Sequence, residues 1–250
     1  MAHAAAEVHL LEVGQVSLQR AFPHVFDANV VRRPRLDPAT LDDGLRQLQA
    51  PLRAIGARHL QIACDGAPVS EQVAHGLASR GFVRDRLLAM ALTGPLLRRA
   101  SPDVQVLAVD DEAPRAWYAE TMDRMSREEP WYTPAVAREI VGSLEAKARA
   151  GALTLHVAAL GGRPVGAIGL AVGSRLSEGA AAIVTVGTIP EARGRGVAQA
   201  MVVTLAERAR SLGCDLVYLV ARASDTPKDL YRKLGFGVAF GFDVWLRPPI

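Results

Sequence analysis

Cysteine is nearly absent from this 250-residue chain, which contains only Cys64 and Cys214. Two cysteines cannot form a four-thiolate zinc site, and each lies in or beside an apolar segment that we predict to be a buried strand. We therefore expect reduced core thiols rather than a disulfide, as in cytoplasmic proteins. The six histidines are scattered and form no HxxxH or HExxH pattern, which argues against a metal enzyme.

Long runs of apolar or of basic residues are also missing. No segment approaches the ~18 consecutive apolar residues of a membrane helix. The start "MAHAAAEVHLLEV" has neither a basic leader nor a long apolar segment, so we predict no signal peptide, no membrane association and a cytoplasmic location. The formal net charge is only +3, without a long Lys/Arg run, so nothing indicates nucleic-acid binding.

A linker is predicted where the segment "LTGPLLRRASPD" places a glycine and two prolines between apolar regions. It divides the chain into a part at 1–98 and a larger part at 103–250. In the larger part, strand and helix patterns alternate, which predicts a mixed α/β fold with a long helix after a central strand. Strands are predicted at 104–109, 153–160, 163–172, 180–189, 215–221 and 235–246, and helices at 112–125, 134–150, about 194–212 and 226–234.

One supersecondary unit is predicted to occur twice. Residues 55–92 and 212–246 both contain a glycine, a buried strand, a Pro-opened helix, a Gly-Phe pair and a further strand. Gly56 precedes Gly213 by 157 positions, and Gly81 precedes Gly235 by 154. A repeat at domain-length spacing explains this similarity, and chance resemblance of two strand–helix–strand segments is the alternative.

The segment "TIPEARGRGVAQAM" (188–201) places alternating arginines and glycines directly before the long helix. The first N–H groups of a helix lack intrahelical partners and carry partial positive charge, so they bind anions. Gly194 and Gly196 would let a pyrophosphate approach the backbone, and Arg193 and Arg195 would add charge. The alternatives are an ordinary strand-to-helix turn made by the glycines and an arginine that is simply solvated. The segment is not a P-loop, and a dinucleotide fingerprint would need a third glycine where Gln199 stands.

These residues resemble the GNAT acyltransferase superfamily. Its signature Arg/Gln-x-x-Gly-x-Gly/Ala is matched by Arg193, Gly196 and Ala198, and a second signature is matched by "LYRKLGF" at 230–236. The resemblance covers roughly residues 103–250. The first 100 residues are similar only to the later half of such a domain, with Leu77 at the place of Tyr231. We interpret them as a degenerate, partial GNAT-like domain without its own cofactor site.

The resemblance implies that acetyl-CoA is the acyl donor and that an acceptor amine attacks its thioester directly. The pantetheine arm would pair with the strand backbone where two central strands separate, and the pyrophosphate would lie on 193–198. Tyr231 would protonate the departing CoA thiolate, and packing of its helix on the sheet is the alternative role. Ser224 either contacts the pantetheine arm or caps the next helix. The expected cofactor-binding residues are Gly187, Thr188, Arg193, Gly194, Arg195, Gly196, Val197, Ala198 and Ser224.

No general base is evident, because the central strand "AAAIVTVGTI" contains no acid. The candidates are Glu178, Glu128, Glu129 and His156, and solvent is the alternative. The loop "REEPWYTP" lies where relatives often bind their acceptors. Its candidate acceptor-binding residues are Glu128, Glu129, Trp131 and Tyr132, with a solvated acidic loop as the alternative.

The leading functional hypothesis is an acetyl-CoA-dependent N-acetyltransferase acting on a primary amine. A non-catalytic acyl-CoA-binding or regulatory module is the alternative, and a third hypothesis is acyl transfer to a thiol-sugar or peptide amine, as in tandem GNAT enzymes. The acceptor, a small molecule or a peptide amine, is not fixed by the sequence. The oligomeric state stays open, a homodimer included.

Overall fold

The computed structural model describes residues 7–129, 132–173 and 179–248. These residues form eleven strands of 3–11 residues and six α-helices of 8–16 residues. Strands and helices are interspersed along the chain, as predicted for a mixed α/β fold. The strands are β1 (Glu7–Leu11), β2 (Gly14–Leu18), β3 (Val30–Arg32), β4 (Leu60–Ala63), β5 (Val83–Leu92), β6 (Val104–Ala108), β7 (Thr154–Leu160), β8 (Arg163–Val172), β9 (Ala180–Thr188), β10 (Leu216–Arg222) and β11 (Gly237–Arg247). The helices are α1 (Leu41–Ala54), α2 (Glu71–Ala78), α3 (Glu112–Ser126), α4 (Pro134–Arg149), α5 (Val197–Ser211) and α6 (Pro227–Leu234).

The chain forms two compact units. The described residues of unit 1 are 7–88, 222–224 and 241–248, and those of unit 2 are 89–129, 132–173, 179–221 and 225–240. The division therefore passes through β5, β10 and β11. These units are defined by contacts between residues, whereas the predicted division at 98–103 separates two repeats in the sequence. The two kinds of division need not coincide, so the domain boundary at 98–103 stays a prediction. Among the helices that the structure describes, none combines the length and apolar character needed to cross a bilayer.

Unit 1 contains a sheet that begins as an antiparallel meander. β1 pairs with β2 and β2 with β3, both antiparallel, whereas β3 and β4 are parallel. Residues Val244–Arg247 of β11 pair antiparallel with β4. Helix α1 packs its apolar stripe of Leu45, Leu48 and Leu52 into the core of this unit, because these residues recur every three to four positions.

Unit 2 contains the predicted order of elements. β6, β7, β8 and β9 pair antiparallel in sequence, and β10 is parallel to β9. Adjacent residues of β8 point to opposite faces of the sheet. Ala167 belongs to the core cluster of Tyr118 and Met122 from α3, whereas Gly166 faces Met201 of α5. Helices α3 and α5 therefore cover opposite faces of β8.

The helix that follows β9 differs from its prediction at both ends. It begins at Val197 rather than about Gly194, because Gly194 and Gly196 adopt left-handed backbone conformations with φ of 73° and 77°. Leu212, predicted on the buried face, is 57% exposed because it lies beyond the last helical residue. Cys64 and Cys214 are free and buried, as predicted.

The two predicted copies of the supersecondary unit end their helices in the same way. Phe82 N–H donates to Leu77 O at 3.2 Å after α2, and Phe236 N–H donates to Tyr231 O at 3.0 Å after α6. In each case a glycine with positive φ, Gly81 or Gly235, precedes the phenylalanine, as in a Schellman motif. The two helices begin differently, however. At the start of α2, the Ser70 side chain accepts a hydrogen bond from Val73 N–H, and no proline begins the helix. At the start of α6, Pro227 is the first helical residue, and the Thr226 side chain makes no capping hydrogen bond.

Candidate active site

The pairing between the two parallel strands of unit 2 ends halfway along β9. Ala180–Ile183 pair with Leu216–Leu219, whereas β9 continues to Thr188. A bulge accompanies this change, since the register with β8 shifts between Ala167 and Gly169 and Thr185 has a φ of 55°. Beyond Ile183, the edge of β9 that faced β10 has no ladder partner within the described pairs. An extended ligand can therefore add to it as a strand.

The chain after β9 leads directly to the N-terminus of α5. We call residues 193–198 the anion loop. Gly196 occupies the N-cap position, no side chain caps the helix, and its first turn contains no acid. A Cβ at Gly194 would meet no atom within 4 Å, so the backbone is open on this side. These features fit a pyrophosphate, because the uncapped N–H groups and the helix dipole both favour an anion.

The two arginines of the anion loop have different environments. Arg193 forms a two-pronged ion pair with Glu128 of the α3–α4 connection, and its Nε donates to Thr188 O at 3.3 Å. Arg195 is exposed and forms no ion pair with any residue that the structure describes. The guanidinium of Arg195 is thus available to an anion, whereas Arg193 already has a carboxylate partner. Sequence patterns could not reveal this pair, because 65 positions separate its members.

Gly187 lies on the unpaired part of β9 and against a methionine of α3. The terminal methyl group of Met125 occupies the place where a Cβ on Gly187 would lie, so a larger residue there requires this flexible side chain to move. Thr188 is half-buried, and its side-chain hydroxyl oxygen has no hydrogen-bond partner among the described residues. Met125 was not predicted from the sequence as a residue of the site, although a methionine in this position forms a soft, deformable wall beside the strand edge.

Tyr231 lies in α6, which packs against α5. Its side chain is only 5% exposed, and its hydroxyl forms no hydrogen bond with the residues that the structure describes. Burial raises the pKa of Tyr231 to about 12. The phenol is therefore neutral and able to donate a proton at physiological pH.

The predicted acceptor residues are partly engaged within unit 2. Tyr132 donates a hydrogen bond of 2.6 Å from its hydroxyl to Asp123 Oδ1, which raises the pKa of Tyr132. Glu129 is half-buried, and its backbone N–H donates to Ser126 O. Trp131 lies outside the described residues, as does Glu178, a candidate base. Glu128 is the only one of these residues that the described contacts connect to the anion loop.

Two further predicted residues have no described contact with the anion loop. His156 is buried on β7, and burial together with the Arg208 charge lowers its pKa to about 4, so it is neutral at pH 7. Ser224 is exposed and belongs to unit 1. Conversely, the predicted linker contributes an unexpected contact, because Gln199 Nε2 donates to Arg99 O at 2.9 Å beside the anion loop.

Comparison with protein families identifies this architecture. The model of the acetyltransferase (GNAT) family matches residues 109–236, which include α3, the anion loop and Tyr231. The chain belongs to the GNAT family. No curated protein matches this GNAT chain.

Solved structures share its fold at low sequence identity. A functionally unknown conserved protein from Staphylococcus epidermidis is 16% identical, with a TM-score of 0.78 over 99% of this chain and 96% of its own. A GCN5-related N-acetyltransferase from Kribbella flavida is 17% identical, with a TM-score of 0.63 over 98% and 90%. A tandem GNAT protein from the clavulanic acid biosynthesis pathway is 14% identical, with a TM-score of 0.58 over 99% and 84%.

Proposed function

We propose that this GNAT protein is an acetyl-CoA-dependent N-acetyltransferase that moves an acetyl group to a primary amine. The observation that carries the proposal is the continuity between an unpaired strand edge and an uncapped helix N-terminus. Residues 184–188 of β9 offer backbone groups without a β10 partner, and the anion loop follows within the same unit. One binds an extended amide-bearing chain, and the other binds a pyrophosphate.

The bound acetyl-CoA would supply an activated thioester. The backbone of Gly187 and Thr188 would hydrogen-bond the pantetheine arm, and the N–H groups at 196–198 would hold the pyrophosphate, with Arg195 adding charge. Met125 would shield the arm from water, because its side chain already lies over Gly187. The role of Ser224 stays a prediction from the sequence alone.

Tyr231 would act as the general acid. When the amine nitrogen bonds to the acetyl carbon and the carbon–sulfur bond breaks, Tyr231 would give its phenolic proton to the sulfur. The phenol is neutral at physiological pH and so holds the proton that the sulfur needs, although burial raises its pKa to about 12 and makes it a weaker acid than an exposed tyrosine. The amine must lose its own proton to the base candidates Glu128 or Glu129, or to solvent.

The acceptor is proposed to be a small-molecule or peptide amine that approaches the α3–α4 connection. Glu128 and Glu129 would attract its positive charge, and Trp131 and Tyr132 would pack against it. Because Glu128 is paired with Arg193, it can serve an acceptor only after that ion pair opens. The acidic pair therefore favours a cationic acceptor without identifying it.

Calorimetric titration with acetyl-CoA and with CoA tests the proposal. Gly196→Glu should abolish binding, because its carboxylate would occupy the anion site and repel the pyrophosphate. Gly162→Glu is the matched control: Gly162 also has positive φ (74° against 77°) and open surroundings, but it lies in the β7–β8 turn. Loss of binding in both variants, or no binding by the folded native protein, would contradict the proposal.

Binding without turnover has a separate meaning. If the native protein binds acetyl-CoA but releases no CoA with a broad panel of amines, the alternative of a non-catalytic acyl-CoA-binding module is favoured. Release of CoA that depends on both Gly196 and Tyr231 supports the enzyme. The panel should include cationic small molecules and peptides with free N-termini, because the acidic connection favours positive charge.

A further inference from the structure

Unit 1 contains a cavity of about 590 Å³ along one flank of α1. All of its lining residues belong to unit 1, so the cavity is complete without any part of unit 2. Five arginines and a single carboxylate contribute to its wall. These charged lining residues are Asp42, Arg46, Arg53, Arg58, Arg80 and Arg247.

The sequence of α1 explains why the arginines converge. Asp42, Arg46, Gln49 and Arg53 recur every three to four positions, so they form one stripe, rotated by about 100° around the helix from the buried leucines. At the end of the helix, Ala57 N–H donates to Leu52 O at 3.1 Å. This turn directs the chain back over the helix end, where Arg58 joins the wall.

The positive charge of the cavity is only partly neutralised. Arg80 donates to both oxygens of Asp42, at 2.7 and 2.8 Å, and Arg46 pairs with Asp43. Arg53 and Arg58 form no ion pair with any residue that the structure describes. The wall therefore presents two guanidinium groups without a counter-ion.

Arg247 adds a third guanidinium, and it pairs with no carboxylate among the residues that the structure describes. Its Nη2 donates to Gln49 Oε1 at 2.8 Å, and its guanidinium lies 4.9 Å from the centre of the Phe82 ring. Burial and the neighbouring charge of Arg53 lower the pKa of Arg247. These two contacts orient the guanidinium, and a bound anion would relieve its repulsion with Arg53.

We propose that this cavity binds a small phosphate-bearing metabolite of about nucleotide size. A guanidinium can donate two parallel hydrogen bonds to the oxygens of one phosphate, and three guanidinium groups here have no carboxylate partner among the described residues. The volume lies within the range of about 300–1,000 Å³ typical of small-molecule sites. The cavity is concave and bounded by a single unit, which favours one compact ligand over an extended polymer.

This site is separate from the anion loop and does not rest on the proposed function. The anion loop lies in unit 2 before α5, whereas the cavity lies in unit 1 along the side and C-terminal end of α1. The N-terminus of α1 is not the binding element, because its first turn contains Asp42 and Asp43, which repel anions.

Calorimetric titration of the full chain with pyrophosphate and with ATP tests the site. The Arg53→Gln/Arg58→Gln double variant should bind both at least about tenfold more weakly, because two charge-assisted contacts are lost. Arg35→Gln is the matched control, since Arg35 is an exposed arginine of unit 1 outside the cavity, and it should bind like the native protein. Both changes affect exposed side chains, so unchanged melting temperatures should show that folding is intact.

Two further arms assign the binding to one site and one chemistry. Gly196→Glu blocks the anion loop and should leave pyrophosphate binding to the cavity in place. Binding that disappears in Gly196→Glu but persists in the double arginine variant would overturn the proposal and assign the ligand to the anion loop. Citrate that binds as tightly as pyrophosphate would overturn the assignment to phosphate, as would the absence of binding by the folded native protein. If Gly196→Glu fails to fold, the comparison of the two arginine variants decides alone.

Discussion

Replacing Tyr231 with phenylalanine removes one hydroxyl group and leaves the aromatic ring in place. The Tyr231 side chain is 5% exposed, and its hydroxyl makes no hydrogen bond to the residues that the structure describes. The substitution therefore leaves no partner unsatisfied, and the free energy of unfolding at pH 8 should change by less than about 1 kcal/mol. If the phenol is the general acid, turnover should fall by about 10²–10⁴-fold, whereas acetyl-CoA affinity should stay within about twofold.

The assay combines calorimetry for acetyl-CoA binding with a thiol reagent that records CoA release in the presence of an active amine. Tyr118→Phe is the matched control, because Tyr118 is another buried tyrosine of unit 2 whose hydroxyl has no described partner. It should leave both binding and turnover unchanged. Equal losses of binding and turnover in Tyr231→Phe would refute acid catalysis and assign Tyr231 to packing, as would turnover equal to that of the native protein.

The raised pKa of Tyr231 makes a second, independent measurement possible. In the unfolded chain this phenol ionises near pH 10, whereas in the folded protein it ionises only at about 12. Ionisation therefore favours the unfolded state between these values, and stability present below pH 10 is lost as the pH rises. The native protein should lose about 1 kcal/mol more than Tyr231→Phe between pH 8 and pH 11 in urea titrations. Equal losses would show that the phenol is not desolvated.

Three further substitutions test contacts within unit 2 or within unit 1. Glu128→Gln should strengthen acetyl-CoA binding by about two- to fivefold in calorimetry, because the carboxylate competes with an anion for Arg193, whereas Glu129→Gln should have no effect. Gly187→Ala should lower the free energy of unfolding in urea titrations by less than about 1 kcal/mol, because the new methyl group displaces only the flexible end of the Met125 side chain. In unit 1, Asp243→Asn should lower it by about 2–3 kcal/mol, because this buried carboxylate accepts hydrogen bonds from two guanidinium groups at 2.9 and 3.0 Å.

The sequence predicted the elements of unit 2 well, because each has a clear hydrophobic period and glycine or proline at its ends. β8, for example, was predicted at its observed bounds. The start of α5 was predicted three residues too early, since a glycine before a helix can either begin it or remain outside it in a left-handed conformation. The short strands β1 to β3 were not predicted, because segments of three to five residues carry too little periodicity.

Some features of the site could be predicted from neighbouring residues in the sequence, whereas others depend on residues far apart in the chain. Local signals led to the prediction of the anion loop, since glycines before a helix expose its N–H groups and arginines add positive charge there. The Arg193–Glu128 pair and the contact of Met125 with Gly187 depend on how α3 packs against β9. No spacing within the sequence encodes such contacts. The acceptor therefore could not be predicted from the residues that surround the anion loop.

The two units place charge differently on similar helices, and this difference separates their expected ligands. Helices α1 and α5 end in the same kind of turn. Ala57 N–H donates to Leu52 O after α1, and Cys214 N–H donates to Ala209 O after α5, so in each turn the donor lies five residues after the acceptor. At its first turn, α5 has no acid, whereas α1 has two. Unit 1 thus cannot bind a pyrophosphate at its helix N-terminus as unit 2 is proposed to do. If its arginine-lined cavity binds phosphate, anion binding in unit 1 depends on side chains rather than on backbone N–H groups. It should then be lost on arginine replacement and be insensitive to glycine replacement, which is the reverse of the behaviour expected of the anion loop.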